Sequence, residues 1–208
     1  FGNQAFDHKQ LAATPGLISG LRDMGTGFSD AMYYIARDWM RDTDIVLPST
    51  EVKAGVEDIG GRRLRLMPMA GHTDSDLAIF DESSGILIAG DLAFLDRAPT
   101  TPHADIERWL NTLAKLDGIP CNRLVPGHGP AEKGKRAIDQ TKEWLAAIED
   151  IISRSFDAGQ DILEASAAPL PESLAKIALA RYEFGRSVMH IYPKLEAARL
   201  PSVGRRAS

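Results

Sequence analysis

The chain has 208 residues, 44% of them apolar, and a formal net charge of −5, which suits one domain, or a domain with an appendage, around a real core. Its Lys and Arg cluster only in short stretches at 61–63, 133–136 and 204–206, which excludes the continuous basic surface that nucleic acid requires. A single cysteine, Cys121, excludes an internal disulfide and a cysteine-built zinc site, and no apolar run approaches the ~18 residues of a membrane span.

No secretory signal is legible from Phe1 onward, and a start at Phe rather than Met leads us to expect an upstream segment in the gene. A helix is expected from about Leu11 to Arg22, against the resistance of Pro15, Gly16 and Gly20. The next helix is better defined: Met32, Ile35, Ala36, Trp39 and Met40 share one apolar face, and Ser29 or Asp30 is placed to cap it. A short strand is expected at Ile45–Leu47 and a longer one over 51–59, with a turn at Gly60-Gly61. Leu64 and Leu66 alternate with Arg63 and Arg65, the pattern of a half-buried strand. The runs 76–80 (DLAIF) and 85–90 (GILIAG) flank a turn and predict a hairpin. A helix is expected over 103–116 with Thr101 as N-cap and Pro102 in its first turn. A short strand at 122–125 then leads into the loop PGHGP. From about Ala131 to Arg199 the pattern is almost entirely helical, and 201–208 reads as a loose tail. Trp39, Trp109 and Trp144 stand at apolar helical spacings and are expected in the core, as is the thiol of Cys121. His103 is expected exposed in the first turn of its helix, and His190 and Tyr192 are expected to pack against the core.

Three side chains carry chemistry. His72 precedes the first hairpin strand, Asp91 follows the second, and a hairpin brings its outer ends to one sheet edge. His128 sits between glycines just after another strand, where the backbone can turn sharply. Neutral imidazole is the commonest side-chain metal ligand, and a carboxylate can bridge two cations. The three together therefore suggest part of a metal site.

The segment AGHTDSDLAIFDESSGILIAGDLAF followed by LVPGHGP resembles the second half of the metallo-β-lactamase superfamily, with a GHT-type turn, a hairpin, a GD turn and a PGHG loop in order. Within it the likeness is greatest to the quinoprotein relay system zinc metallohydrolases, through the YY-containing helix before DTDIVLP, the run GDLAFLDRAP and the helical end FGRSVMHIYPKLE. The resemblance implies an α/β fold, the four-layer αβ/βα sandwich, here lacking part of its N-terminal half. It divides the chain into a partial domain over 1–134, a helical extension of it over 135–200 and a flexible tail over 201–208. It also implies that His72 helps hold a first zinc ion and His128 a second, with Asp91 bridging the two and counted as catalytic. Asp74 and Asp76 become candidates to orient an imidazole from behind.

The superfamily's first motif, H-x-H-x-D-H, would lie immediately before Phe1. The histidines present, at 8, 72, 103, 128 and 190, do not form it. The expectation is then weak zinc binding and near inactivity for these residues alone, and a sheet with one apolar face uncovered, open to aggregation or to a second copy of the chain. The activity implied for the whole protein is hydrolysis of an ester, thioester, lactone or amide-type small molecule by zinc-bound hydroxide. An iron-dependent sulfur dioxygenase-like enzyme and a non-catalytic remnant or binding module are the alternatives. The resemblance to the relay branch implies a periplasmic or secreted location, with a cytoplasmic one as the alternative.

Overall fold

The computed structural model describes residues 2–25 and 27–200, without the side chains of 28, 29 and 31. The tail at 201–208 and the cap expected at Ser29 lie outside the described residues. Two 3₁₀ turns, Gly2–Ala5 and His8–Gln10, open the chain. Strand β1 (Ala12–Ala13) follows, then helices α1 (Pro15–Met24) and α2 (Gly27–Ala36) and a third 3₁₀ turn, Arg37–Met40. Strand β2 (Thr50–Glu51) returns to pair in parallel with β1. α1 starts at Pro15 rather than Leu11, because proline suits a first helical turn and Thr14 before it is extended. Asp30 lies inside the first turn of α2, where its charge favours the positive helix end, and does not cap it.

No strand forms at Ile45–Leu47. That segment is irregular, and side chains hold the backbone in and just before it: Asn3 Nδ2 donates to Val46 O (2.9 Å), and Asp44 N donates to Gln4 Oε1 (2.7 Å). The strand expected over 51–59 is broken into β2 and β3 (Gly55–Ile59).

The main sheet comprises β3, β4 (Arg62–Met69), β5 (Asp76–Asp81), β6 (Ile86–Phe94) and β7 (Arg123–His128), hydrogen-bonded in chain order. Consecutive pairs are antiparallel up to β6, and β7 joins β6 in parallel after a crossover through α3 (Ile106–Asp117). Gly60 and Gly61 both have positive φ (58° and 76°), the condition for the tight turn that links β3 to β4. Beyond β7 come α4 (Arg136–Asp157), α5 (Ile162–Ala167), α6 (Glu172–Ala175) and α7 (Ala180–Arg199).

Register decides what each sheet face meets, because paired residues share a face and neighbours along a strand alternate. Ala78, Phe80, Leu87, Ala89 and Leu124 point to one side and join Trp109, Leu113 and Leu116 of α3 and Ile138, Trp144, Leu145 and Ile148 of α4 in a single core. The opposite side carries Leu66, Ile79, Ile88 and Val125, matched across four strands. There Leu66 is buried, but Ile79 and Val125 are only half-buried and Ile88 is 41% exposed. The expected apolar face is therefore present and incompletely covered among the described residues.

Three core assignments need correction. Trp39 is 92% exposed and Ile35 78%, whereas Met32, Ala36 and Met40 are half-buried, so the apolar face around α2 is only partly covered among the described residues. His190 is exposed, whereas Tyr192 is buried and donates its hydroxyl to Gln160 O. Cys121 is half-buried against the core rather than inside it. α3 begins at Ile106, because Asp105 caps it by accepting from Arg108 N (3.0 Å). His103 is exposed, as expected, but lies ahead of the helix.

Candidate functional site

The three residues singled out for metal chemistry lie on the loop before β5, on β6 and at the end of β7. The loop over 70–75 is fixed from two directions. Thr73 donates its amide (3.1 Å) and its hydroxyl (2.7 Å) to the two carboxylate oxygens of Asp76, closing the turn around His72. On the α3 side, Thr112 Oγ1 donates to Ala70 O (2.6 Å) and Asp105 N donates to Gly71 O (3.1 Å). A Cβ on Gly71 would lie 2.7 Å from Trp109 Cα, so only glycine lets the turn settle onto the helix. The His72 ring is consequently 16% exposed, edge-on to Trp109 at 5.3 Å and tilted against Phe94 at 6.0 Å. Burial lowers its pKa, against the pull of the Asp91 and Asp76 carboxylates. A neutral imidazole with a free lone pair is the form a metal ion takes.

Asp91 is exposed by an irregularity in β6. The parallel register with β7 shifts between Ile88 and Gly90 and again before Phe94, and Gly90 turns with φ 54°. The Asp91 carboxylate lies over the backbone of β7, where a Cβ on Gly127 would collide with it. His128 follows at once, its ring stacked on Phe94 at 5.0 Å and its carbonyl accepting from Leu95 N (2.9 Å). Phe94 itself is held from behind, its amide donating to Thr141 Oγ1 of α4 at 2.9 Å.

His128 Nε2 and Asp91 Oδ1 are 3.6 Å apart. Two donors each ~2.0–2.1 Å from one tetrahedral zinc ion would stand about 3.3 Å apart. This pair is thus close to the span of a shared ion, and both side chains are about two-fifths exposed and reachable. His72 Nδ1 is 3.9 Å from Asp76 Oδ1, within ion-pair range but beyond a hydrogen bond. Asp74 is 95% exposed, 3.8 Å from Arg108 Nη1, and orients no imidazole in this arrangement. Two imidazoles and a carboxylate are the donor chemistry of zinc or iron. Their number falls short: among the described residues no group of three or more His, Cys, Asp or Glu side chains is arranged to hold an ion, and a catalytic zinc takes about three protein ligands.

Reading the residues alone missed Phe94, which touches both imidazoles, and the second role of Trp109, taken only as core. Gly127 was noted only as a glycine that lets the chain turn before His128; that it leaves room for the Asp91 carboxylate was not legible.

A family model described as the metallo-beta-lactamase superfamily matches residues 9–128, a span that contains all three candidate ligands. Among solved structures, the chain is similar to a metallo-beta-lactamase family protein, TTHA1429, from Thermus thermophilus. The likeness has a TM-score of 0.56 at 18% identity over 86% of this chain and 62% of that one. It is also similar to the metallo-beta-lactamase IND-7, with TM-score 0.50 and 20% identity over 65% of this chain and 56% of that one. A curated relative, the beta-lactamase-like protein 2 homolog of Caenorhabditis elegans, is 24% identical over 87 residues, 42% of this chain. The chain spans 28% of that relative's length.

Proposed function

This chain belongs to the metallo-β-lactamase superfamily, and from that premise we propose that the protein is a metal-dependent hydrolase of a small molecule, with His72, Asp91 and His128 among its metal ligands. The observation that carries the reading is the approach of Asp91 to His128, 3.6 Å apart on two adjacent parallel strands. Zinc is the proposed metal, two ions in the active protein, with further ligands beyond these three. A bound zinc ion would supply hydroxide near neutral pH and polarise an ester, thioester, lactone or amide carbonyl.

The chain's own residues prepare the site for that ion. Phe94 and Trp109 confine the His72 ring, and Phe94 backs the ring of His128. Asp76 and Thr73 fix the turn that presents His72. Gly127 leaves the room in which the Asp91 carboxylate lies. The same proposal includes a place in the quinoprotein relay branch and a periplasmic or secreted setting, which cell fractionation would check.

The test is metal titration and content in the full-length protein. Asp91→Ala and His128→Ala should each lose bound zinc, and Gly127→Ala, which displaces the carboxylate, should weaken affinity about ten- to hundred-fold. Unchanged zinc affinity in both alanine variants would remove Asp91 and His128 from the ligand set. Ligands of this type also accept iron. Anaerobic purification yielding iron, with oxygen uptake on a persulfide, would replace the hydrolase by a sulfur dioxygenase-like enzyme.

A further inference from the structure

Helix α4 grips one short stretch of backbone at the end of β6. Phe94 N donates to Thr141 Oγ1 at 2.9 Å, and Asp96 N donates to Gln140 Oε1 at 3.0 Å. The Gln140 amide returns to the same stretch, its Nε2 reaching Arg97 O at 3.3 Å and Phe94 O at 3.4 Å. Thr141 is fully buried, and a hydroxyl has one proton to give. That proton goes to Ala137 O at 2.7 Å, nearer than Phe94 O at 3.4 Å, which leaves a lone pair for the Phe94 amide.

The gripped backbone needs support. Asp96 has a φ of 58°, in the left-handed region that disfavours a residue with a Cβ. Gln140 takes its amide, and its carbonyl accepts from Ala178 N at 3.0 Å. Further along the loop over 95–105, α7 takes over: the hydroxyls of Thr101 and Ser187 lie 2.7 Å apart, and Arg97 stands 3.6 Å from the buried Glu183.

α4 is fastened to β7 as well. Glu132, 8% exposed, exchanges both backbone hydrogen bonds with Leu124 at 2.9 Å, closing the segment that carries His128. Glu132 Oε1 then accepts from Ala137 N at 2.6 Å, in the first turn of α4. Ala137 therefore serves both fastenings, its amide toward β7 and its carbonyl toward Thr141. Between them, Leu95 N donates to His128 O at 2.9 Å, and a Cβ on Gly129 would collide with Leu95 O. The start of α4 is thus a brace between the strand that bears Asp91 and the segment that bears His128.

We propose that Thr141 and Gln140 are positioning residues of the candidate site: by fixing the backbone over 94–97 they hold the Phe94 ring against the imidazoles of His72 and His128, and so set the geometry those imidazoles offer a metal ion. The metal ion rests on the hydrolase reading, whereas the placement of the two rings does not. The acceptor of the buried Phe94 amide is the decisive group. Thr141→Val keeps the branched shape and removes that acceptor, and an unpaired buried N–H is costly enough to drive the backbone to move. Thr141→Ser keeps the hydroxyl.

The test uses the full-length protein with Thr141→Val, Thr141→Ser and Gln140→Leu. Ile148→Val, at a fully buried position further along α4, is the reference for general loss of stability. The ring signals of His72 and His128 are followed by NMR at one fixed pH as zinc is added, and zinc affinity is read by competition with a chelator. Thr141→Val should move both ring signals before any zinc is present. It should also weaken zinc affinity about ten-fold, as for loss of an outer partner of a metal site. Gln140→Leu should act in the same direction to a smaller extent, and Thr141→Ser should restore both readings. Ile148→Val should lower the melting temperature and change neither. Should Thr141→Val not fold, Gln140→Leu, at a half-buried position, carries the same test. Unmoved ring signals would overturn the proposal, as would unchanged zinc affinity in a protein whose Asp91→Ala variant loses zinc, or an equal response in Ile148→Val. Ring signals that move while Asp91→Ala and His128→Ala keep their zinc would sink the hydrolase reading and leave the positioning in place.

Discussion

Trp39 and Trp144 occupy helical positions of the same apolar periodicity, yet Trp39 is 92% exposed and Trp144 is fully buried. The difference lies in what faces them. Trp144 belongs to α4, which lies on the helix-bearing side of the sheet beside Leu87, Leu124 and Trp109. Trp39 belongs to the segment over 2–51, whose ties to the rest are few. The described ones include the donation of Val52 N to Ala13 O at 2.8 Å, the Thr14–Ser75 hydroxyl contact at 2.6 Å and the close approach of Gly16 to Ser75. Periodicity reports that a helix has an apolar face. It does not report that a second layer exists to receive that face.

Substitution tests this contrast most directly. Trp144→Ala should destabilise by about 3–5 kcal/mol through lost burial and a cavity, and Trp39→Ala should change stability by no more than about 0.5 kcal/mol, both read by urea unfolding. Equal losses would erase the distinction between the two regions. The seam between α7 and the loop at 95–105 belongs to the packed region. Glu183→Ala, which leaves Arg97 and Arg186 without their buried partner, should cost about 3 kcal/mol, the low end for breaking a buried pair because both arginines are partly exposed. A loss confined to α7 amides in hydrogen exchange would make the appendage a separately melting unit.

The smallest effect concerns pH. Asp81 accepts from the Ser84 hydroxyl (2.7 Å), from Arg62 Nε (2.7 Å) and from Ser83 N (2.9 Å), and these donors, Ser84 foremost, lower its pKa to about 2. A carboxylate depressed in the folded state stabilises fully above the ordinary carboxylate range, and that contribution disappears as pH falls through the folded value. The melting temperature of the wild type should therefore exceed that of Asp81→Asn at pH 5 and converge on it near pH 2. Trp39 fluorescence, reporting the other region, should not follow the same change.

What was legible in the residues follows the range of the interactions. The β5–β6 hairpin and the Gly60-Gly61 turn are local, set by alternation and by two glycines with positive φ, and they form where the pattern puts them. His72 before β5 and His128 at the end of β7 stand where the pattern puts them, but Asp91, expected just after the second hairpin strand, lies inside β6, which runs on to Phe94. The helix start at Ile106 was not, because Thr101, the expected cap, is drawn to Ser187, 86 positions away. Nor was the irregular course of Ile45–Leu47, whose backbone partners are side chains near the other end of the segment. Phe94 was hidden for the same reason: the GDLAF run shows an apolar residue, and only the folded sheet shows which rings it touches.

Phe94 lies against His72 at 6.0 Å and against His128 at 5.0 Å, with its amide pinned to α4. The two imidazoles are therefore not independent levers. A substitution at Phe94 should therefore disturb both rings at once, and so should one at Thr141, the α4 residue that accepts from the Phe94 amide.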